Sequence, residues 1–308
     1  MGLLSRVTDP SDRPIDLVYT WVDGDDPAHQ QLAQQYANRP PDLNPERTRD
    51  VYTLLRYSLR SIDQFAPWIR QVYLVTCRPQ KPDWLLLDHP RVTVIHHDEL
   101  FDNPAYLPTF SCHCIESYLH RIPGLSDYFL YMNDDFLLGA PVALDDFLTP
   151  DGRLLIYGTV FGERIPFLYD NWCNDLISFL QHTPLLIFKP YYEEMLAQWA
   201  KPVHEMRSRR FRTRQDIMMH GLYRYYTLKY QGQASLAVPA YRLMKSYAFH
   251  KITNALLVQE KALARIRAKR PKFYCLNDDQ KDSPNPAVVS LVQAFLDEWY
   301  PGRSPYER

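Results

Sequence analysis

Asp127-Tyr128-Phe129-Leu130-Tyr131-Met132-Asn133-Asp134-Asp135 is the stretch whose reading decides the fold. An apolar and aromatic run without alternation reads as a strand buried on both faces. It ends in a carboxamide and two adjacent carboxylates, which are costly to bury unless something binds them. In open α/β sheets, ligands bind in the crevice at the carboxyl ends of the strands. Oxygen-only ligands at such a place suit a hard cation, Mg²⁺ or Mn²⁺, bridging to a phosphate. The competing reading is an Asx-rich turn that merely ends a strand.

Upstream, Ile15 to Val22 forms a second strand pattern and runs into the turn Asp23-Gly24-Asp25-Asp26-Pro27. Helical periodicity is expected over Pro27 to Ala37, over Arg49 to Phe65 and from Ser111 to about Ile122, with a proline-rich loop at Pro40, Pro41 and Pro45. Further strands are expected at Gln71 to Thr76 and Arg91 to His96. Strands alternating with helices imply a mostly parallel sheet flanked by helices, an α/β nucleotide-binding architecture of Rossmann or GT-A-like kind. After Pro141 the segments Asp170 to Gln181, Tyr191 to Trp199, Gln215 to Leu228 and Lys251 to Ala268 read as a helical elaboration. Lys272 to Leu276 reads as one more strand, ending in Asn277-Asp278-Asp279, before a helix from Pro286 to Trp299. The organisation expected is one catalytic domain over 1–308. A nucleotide-sugar half spans 15–140, a helical acceptor region 141–270, and a strand and helix over 271–308 complete the site. If the three acidic turns converge, their repulsion demands a cation or a basic ligand frame.

With 308 residues, 46% of them hydrophobic and 23% charged, the chain can bury a sizeable core. A net charge of −1 argues against a polyanion-coating surface, so nucleic acid is not an expected partner. No apolar run is long enough to cross a membrane, and Met1 to Pro14 lacks the apolar core of a signal peptide. The five cysteines form no CxxC pair, which points to free thiols in a reducing, cytoplasmic compartment. Cys112-His113-Cys114 has no partner pair, and adjacent helical positions face different ways, which reads against zinc.

Four blocks of this sequence, in order, resemble the Stealth family. The first is Ile15-Asp16-Leu17-Val18-Tyr19-Thr20-Trp21-Val22-Asp23-Gly24-Asp25-Asp26-Pro27. The second comprises Leu55 to Ile62, Ala66-Pro67-Trp68-Ile69-Arg70, Leu107 to Ser111, Ile115-Glu116-Ser117 and Tyr131 to Asp135. The third is His182 with Pro184, Lys189 and the Arg212-x-x-x-Asp216 spacing, and the fourth is Lys272 to Asp278. That family contains bacterial capsular-polysaccharide phosphotransferases and the catalytic chain of the animal lysosomal-enzyme N-acetylglucosamine-1-phosphotransferase. One departure stands at Thr76-Cys77-Arg78-Pro79-Gln80, where the family usually reads Thr-Asp/Asn-Gly-Gln.

The resemblance implies transfer of a sugar 1-phosphate from a nucleotide sugar to an acceptor hydroxyl, with release of UMP and formation of a phosphodiester. A UDP-N-acetylhexosamine donor, a glycan or polysaccharide acceptor and Mg²⁺ or Mn²⁺ are expected, in bacterial capsule or exopolysaccharide synthesis. Asp134, Asp135 and Asp278 are the expected metal ligands. His182 is the leading base, with Asp135 and Glu116 as alternatives, because an imidazole titrates near neutrality. Arg212 and Lys189 suit the phosphate charge. Trp21, Asp23, Arg60, Asn133, Asp216 and Asn277 complete the expected donor site. Glu116 is expected to share a helix face with Cys112 and His120, in apolar surroundings that raise its pKa. Peripheral attachment to the inner face of a membrane, beside capsule machinery, and a homodimer stay open. A glycosyltransferase releasing UDP, or an inactive sugar-binding module, are the alternatives.

Overall fold

The computed structural model describes residues 13–37, 49–157, 182–213, 215–281 and 283–308. Its first strands are β1 (Ile15–Thr20), β2 (Val72–Thr76), β3 (Val92–His96), β4 (Tyr128–Asn133) and β5 (Phe136–Leu138). The later ones are β6 (Leu154–Ile156), β7 (Leu185–Phe188), β8 (Ser235–Ala237), β9 (Tyr247–Ile252) and β10 (Phe273–Asp278). The helices are α1 (Pro27–Tyr36), α2 (Leu54–Phe65), α3 (His97–Leu100), α4 (Cys112–Glu116) and α5 (Lys189–Gln198). They continue with α6 (Ala200–Arg207), α7 (Met219–Tyr230), α8 (Ala240–Ser246), α9 (Leu256–Lys269) and α10 (Pro286–Trp299).

Strands β3, β2, β1 and β4 lie side by side in that order and run parallel, and β7 closes the sheet antiparallel to β4. β1 and β4 are covered on both faces, which is why their sequences are nearly continuous apolar runs. The chain builds outward from β1 through β2 to β3, then returns to the other flank of β1 as β4. That reversal opens a crevice at the carboxyl ends of β1 and β4, the place where open α/β sheets bind ligands. Thr20 pairs with Asn133, so both strands deliver their acidic turns at one level.

A second sheet, in the order β5-β10-β9, receives the chain as it leaves the Asp134-Asp135 turn. β10 runs antiparallel to β5 and parallel to β9. Helix α2 joins the two cores because its apolar stripe is wide: Leu55, Leu59 and Ile62 enter the core of the large sheet, and Leu54 and Tyr57 enter a smaller one. That smaller core is completed by Ile252, Leu263, Ile266, Leu276, and Val288, Val292, Phe295 and Leu296 of α10. The α10 residues recur at helical spacing behind an Asn285 cap and Pro286 at the first turn.

Several expected elements differ. The helix expected from Ser111 to Ile122 breaks after Glu116, and a 3₁₀ turn over Leu119–Arg121 replaces its end. His120 therefore leaves the Glu116 face and packs against Tyr192, ring centroids 5.8 Å apart. The helix expected from Lys251 starts only at Leu256, because Tyr247–Ile252 pairs with β10 as an edge strand. β7 was expected as neither strand nor helix; its uniformly apolar Leu185-Leu186-Ile187 carries no period to read. The expected helix over 170–181 and the proline-rich loop at 40–45 lie outside the described residues. Among the described residues no helix is long and apolar enough to cross a membrane.

Candidate active site

The site is built where β4 hands the chain to β5. The backbone N–H of Leu276 donates to the Asp135 carbonyl at 3.1 Å, which fastens the end of β10 to the acidic turn. Asp135 Oδ2 accepts from the Cys275 thiol at 3.1 Å and from the Asn277 amide at 3.2 Å. His182 Nδ1 stands 3.9 Å from the same oxygen, and its ring lies between Phe136 and Phe249, centroids 5.9 and 5.0 Å away. The other oxygen, Asp135 Oδ1, is buried with no hydrogen-bond partner among the described residues. A buried carboxylate oxygen without a partner costs free energy and asks for an explanation. The imidazole remains about a third exposed.

Two further carboxylates face this turn. Loss of solvent, with Asp135 and Asp50 beside it, holds the Asp134 carboxyl well above the usual carboxylate range. Burial also pushes Asp50 up to about 6, against the N–H of Leu54, which donates to it at 2.8 Å, and the Trp21 indole. Asp23 adds to the same field. The first acidic turn is held by the loop that departs from the family pattern. Gln80 accepts from the Asp23 N–H at 3.1 Å and donates to the Asp23 carbonyl at 2.8 Å and to Asp26 at 2.9 Å. A carboxylate oxygen without a partner among the described residues and the repulsion of Asp134, Asp135 and Asp50 fit a divalent cation at this turn, where the donor atoms of Asp135, His182 and Cys275 lie within 4.8 Å of one another.

Not every expected residue reaches this place. Asp278 follows Asn277, but Arg49 binds its Oδ2 at 2.7 Å and the Gln280 N–H binds Oδ1, so its carboxylate is engaged away from Asp135. Asn133 ends β4, half-buried and level with Thr20. Arg60 grips Glu307 with two hydrogen bonds of 2.7 Å and donates to the Tyr300 carbonyl, so its guanidinium holds the segment after α10. Lys189 follows β7, whose Phe188 pairs with Tyr128, so it sits at the amino end of β4 beside Asp127. At about 3.3 Å per residue, the length of β4 separates it from the acidic turn.

The spacing Arg212-x-x-x-Asp216 is not a pair. Asp216 is buried, closes a turn on Thr213 through bonds of 2.8 and 3.0 Å, and binds Arg209 at 3.0 Å. Arg212 stands exposed on that loop. Glu116 belongs to a different cluster, buried beneath β4, where the Tyr131 O–H donates to Oε1 at 3.1 Å. Burial opposes its charge, but His113 and His220 hold its carboxyl below the usual range, the reverse of the expected shift.

Asp50, Cys275 and Arg49 were not singled out from the sequence. Arg49 and Asp50 precede an amphipathic helix, and Cys275 sits inside a strand with no partner motif. Their roles come from contacts with residues far away in the chain.

Models of four Stealth protein conserved regions match this chain: region 1 over residues 13–39, region 2 over 47–155, region 3 over 181–229 and region 4 over 264–308. An exopolysaccharide phosphotransferase of Streptomyces coelicolor is 36% identical, matching 96% of this chain and 52% of its own length. The exopolysaccharide phosphotransferase CpsY of Mycobacterium tuberculosis is 31% identical, matching 96% of this chain and 58% of its own. The chain thus spans about half the length of the curated relatives it matches. Among solved structures, the bifunctional glycosyltransferase WbbM is 12% identical over 99% of this chain and 52% of its own, with a TM-score of 0.46. All four regions occur in order around the described site, and the chain belongs to the Stealth family.

Proposed function

We propose that this chain transfers a sugar 1-phosphate from a nucleotide sugar, a UDP-N-acetylhexosamine, to a glycan hydroxyl in exopolysaccharide synthesis. The observation that carries the reading is the meeting of His182 Nδ1 with Asp135 at 3.9 Å, beside a buried carboxylate oxygen that has no hydrogen-bond partner among the described residues. The names of the relatives, exopolysaccharide phosphotransferases, point the same way.

In the step proposed, the acceptor oxygen bonds to the phosphorus next to the sugar, and the P–O bond to the nucleoside monophosphate breaks. His182 takes the hydroxyl proton, and Asp135 orients the ring and favours its protonated form. Asn277 and Cys275 hold the Asp135 carboxylate in place. A hard cation at Asp134 and Asp135 would neutralise diphosphate charge. Arg212, exposed on the 211–213 loop, is proposed for the charge of the transferring phosphate. Trp21, Asp23 and Asn133 border the crevice at the ends of β1 and β4 and are proposed to line the donor.

The test is to incubate the protein with Mg²⁺, UDP-N-acetylglucosamine and a panel of glycans, then identify the nucleotide formed. UMP that is lost in Asp135→Asn and on chelation supports the reading. UDP in place of UMP would show glycosyl transfer and overturn it.

A further inference from the structure

A second set of donors lies under the sheet, apart from the acidic turn. Ser111 caps α4 by accepting the Cys114 N–H, so Cys112 and His113 open the helix and Glu116 follows one turn later on the same side. His113 Nδ1 stands 3.7 Å from Cys112 Sγ and 3.6 Å from Glu116 Oε2. His220, near the start of α7, places its Nδ1 3.6 Å from that same oxygen. The donor atoms of Cys112, His113 and Glu116 all fall within 4.8 Å of one another.

The nitrogen–oxygen separations are too long for hydrogen bonds. They fall near what one tetrahedral ion imposes: with zinc bonds of about 2.0–2.3 Å, neighbouring donors stand roughly 3.3–3.6 Å apart. Glu116 Oε2 is buried with no hydrogen-bond partner among the described residues, in a side chain only 5% exposed. Glu116 Oε1, by contrast, is already oriented by the Tyr131 hydroxyl, the outer support that metal-bound carboxylates use. Charge also balances, because a thiolate, a carboxylate and two neutral imidazoles bring −2 to a divalent ion.

We propose that Cys112, His113 and Glu116 hold a zinc-class divalent cation, with His220 Nδ1, beside the Glu116 carboxylate, as the nearest further donor. The thiol gives its proton to solvent on binding. A thiolate with two imidazoles selects a borderline ion over Mg²⁺, so this site and the oxygen site at Asp134–Asp135 take different metals. The second Cys–His pair missing from the sequence pattern is replaced by Glu116 one turn on and His220 from another helix. Cys114 takes no part, its thiol facing the Arg207 carbonyl at 3.7 Å.

Cobalt titration of the chelator-stripped full chain tests this, read by visible spectroscopy, with zinc content of untreated protein measured by elemental analysis. The expected result is one bound Co²⁺ with tetrahedral ligand-field bands and a near-ultraviolet thiolate band. Cys112→Ser should remove the thiolate band while keeping the ligand-field bands, and His220→Ala should weaken binding about 10- to 100-fold. Asp135, His182 and Cys275 form another close set of donors, so Cys275→Ser is the control and should leave the spectrum unchanged. A thiolate band lost in Cys275→Ser but kept in Cys112→Ser would overturn the proposal. So would the absence of both stoichiometric zinc and tetrahedral cobalt.

Discussion

Asp50→Asn should make the protein more stable and its cation binding weaker. In the folded chain the Asp50 carboxyl stands at about 6 against an ordinary 3.8, chiefly because burial disfavours its charge. The folded state thus holds this proton more tightly than the unfolded state. Its stabilising share is present below pH 3.8 and is lost as pH rises through about 6. About two pKa units correspond to roughly 3 kcal/mol of stability forgone at pH 8. Asparagine keeps an oxygen for the Leu54 N–H, which Asp50 accepts at 2.8 Å, while removing the charge that faces Asp134. For a chain of this size the gain is a rise in Tm of about 6 °C. Thermal melts in EDTA read it directly: the difference should be full at pH 8 and fall below about 1 kcal/mol at pH 4. Added Mg²⁺ should narrow the gap at pH 8, because the cation relieves the wild type more than the variant. A variant that melts at or below the wild type at pH 8 would refute the idea that converging carboxylates strain this site.

His182→Ala should lower turnover by about 10²- to 10⁴-fold with an unchanged melting curve; near wild-type turnover would remove it as the base. Arg60→Met leaves the buried Glu307 carboxylate to Ser304 and the more distant Arg56 and should cost about 1.5–3 kcal/mol in urea unfolding, while the donor KM stays put; a selective rise in KM would return Arg60 to the nucleotide site. Lys189→Ala should change turnover less than about twofold, since β7 delivers it to the far end of the sheet, and a large loss would contradict that placement. Burial lowers both His97 and His120 to about 4. The unfolded chain takes up these protons first, so stability should be full above about pH 6.5 and fall toward pH 4, by about 3 kcal/mol per ring. Urea midpoints of wild type and His97→Gln, His120→Gln across that window measure it, and parallel curves would refute it.

The four parallel strands of the large sheet were legible because they are apolar runs bounded by turns and alternate with helices, whereas β7 was missed. Of the second sheet only β10 was read. β5 and β8 have three residues each, and β9 alternates buried and exposed positions too briefly to stand out from the helix after it. Within the site, Asp135 and His182 were readable as types, but their meeting depends on a contact across the fold. Asp278 shows the limit clearly: its partner Arg49 lies far earlier in the chain, so nothing local reveals that its carboxylate is engaged. Arg212 and Asp216 show another, because a spacing taken from the family resemblance does not reveal that Asp216 is engaged by Thr213 and Arg209.

The turn carrying Asp134 and Asp135 belongs to two sheets at once, its start fixed by β1 and its finish by β10. The strand β10 lies far downstream of β4 in the chain, so a ribosome makes the acidic turn long before it makes the wall behind it. A polypeptide stopped short of Phe273 keeps the central strands and loses Cys275, Asn277 and the N–H of Leu276. On the proposed activity, two fragments divided there should each lack transfer and regain the shared site only by reassembling. That makes the junction a natural seam for a split reporter, in which recovered transfer reads out the docking of one sheet on the other.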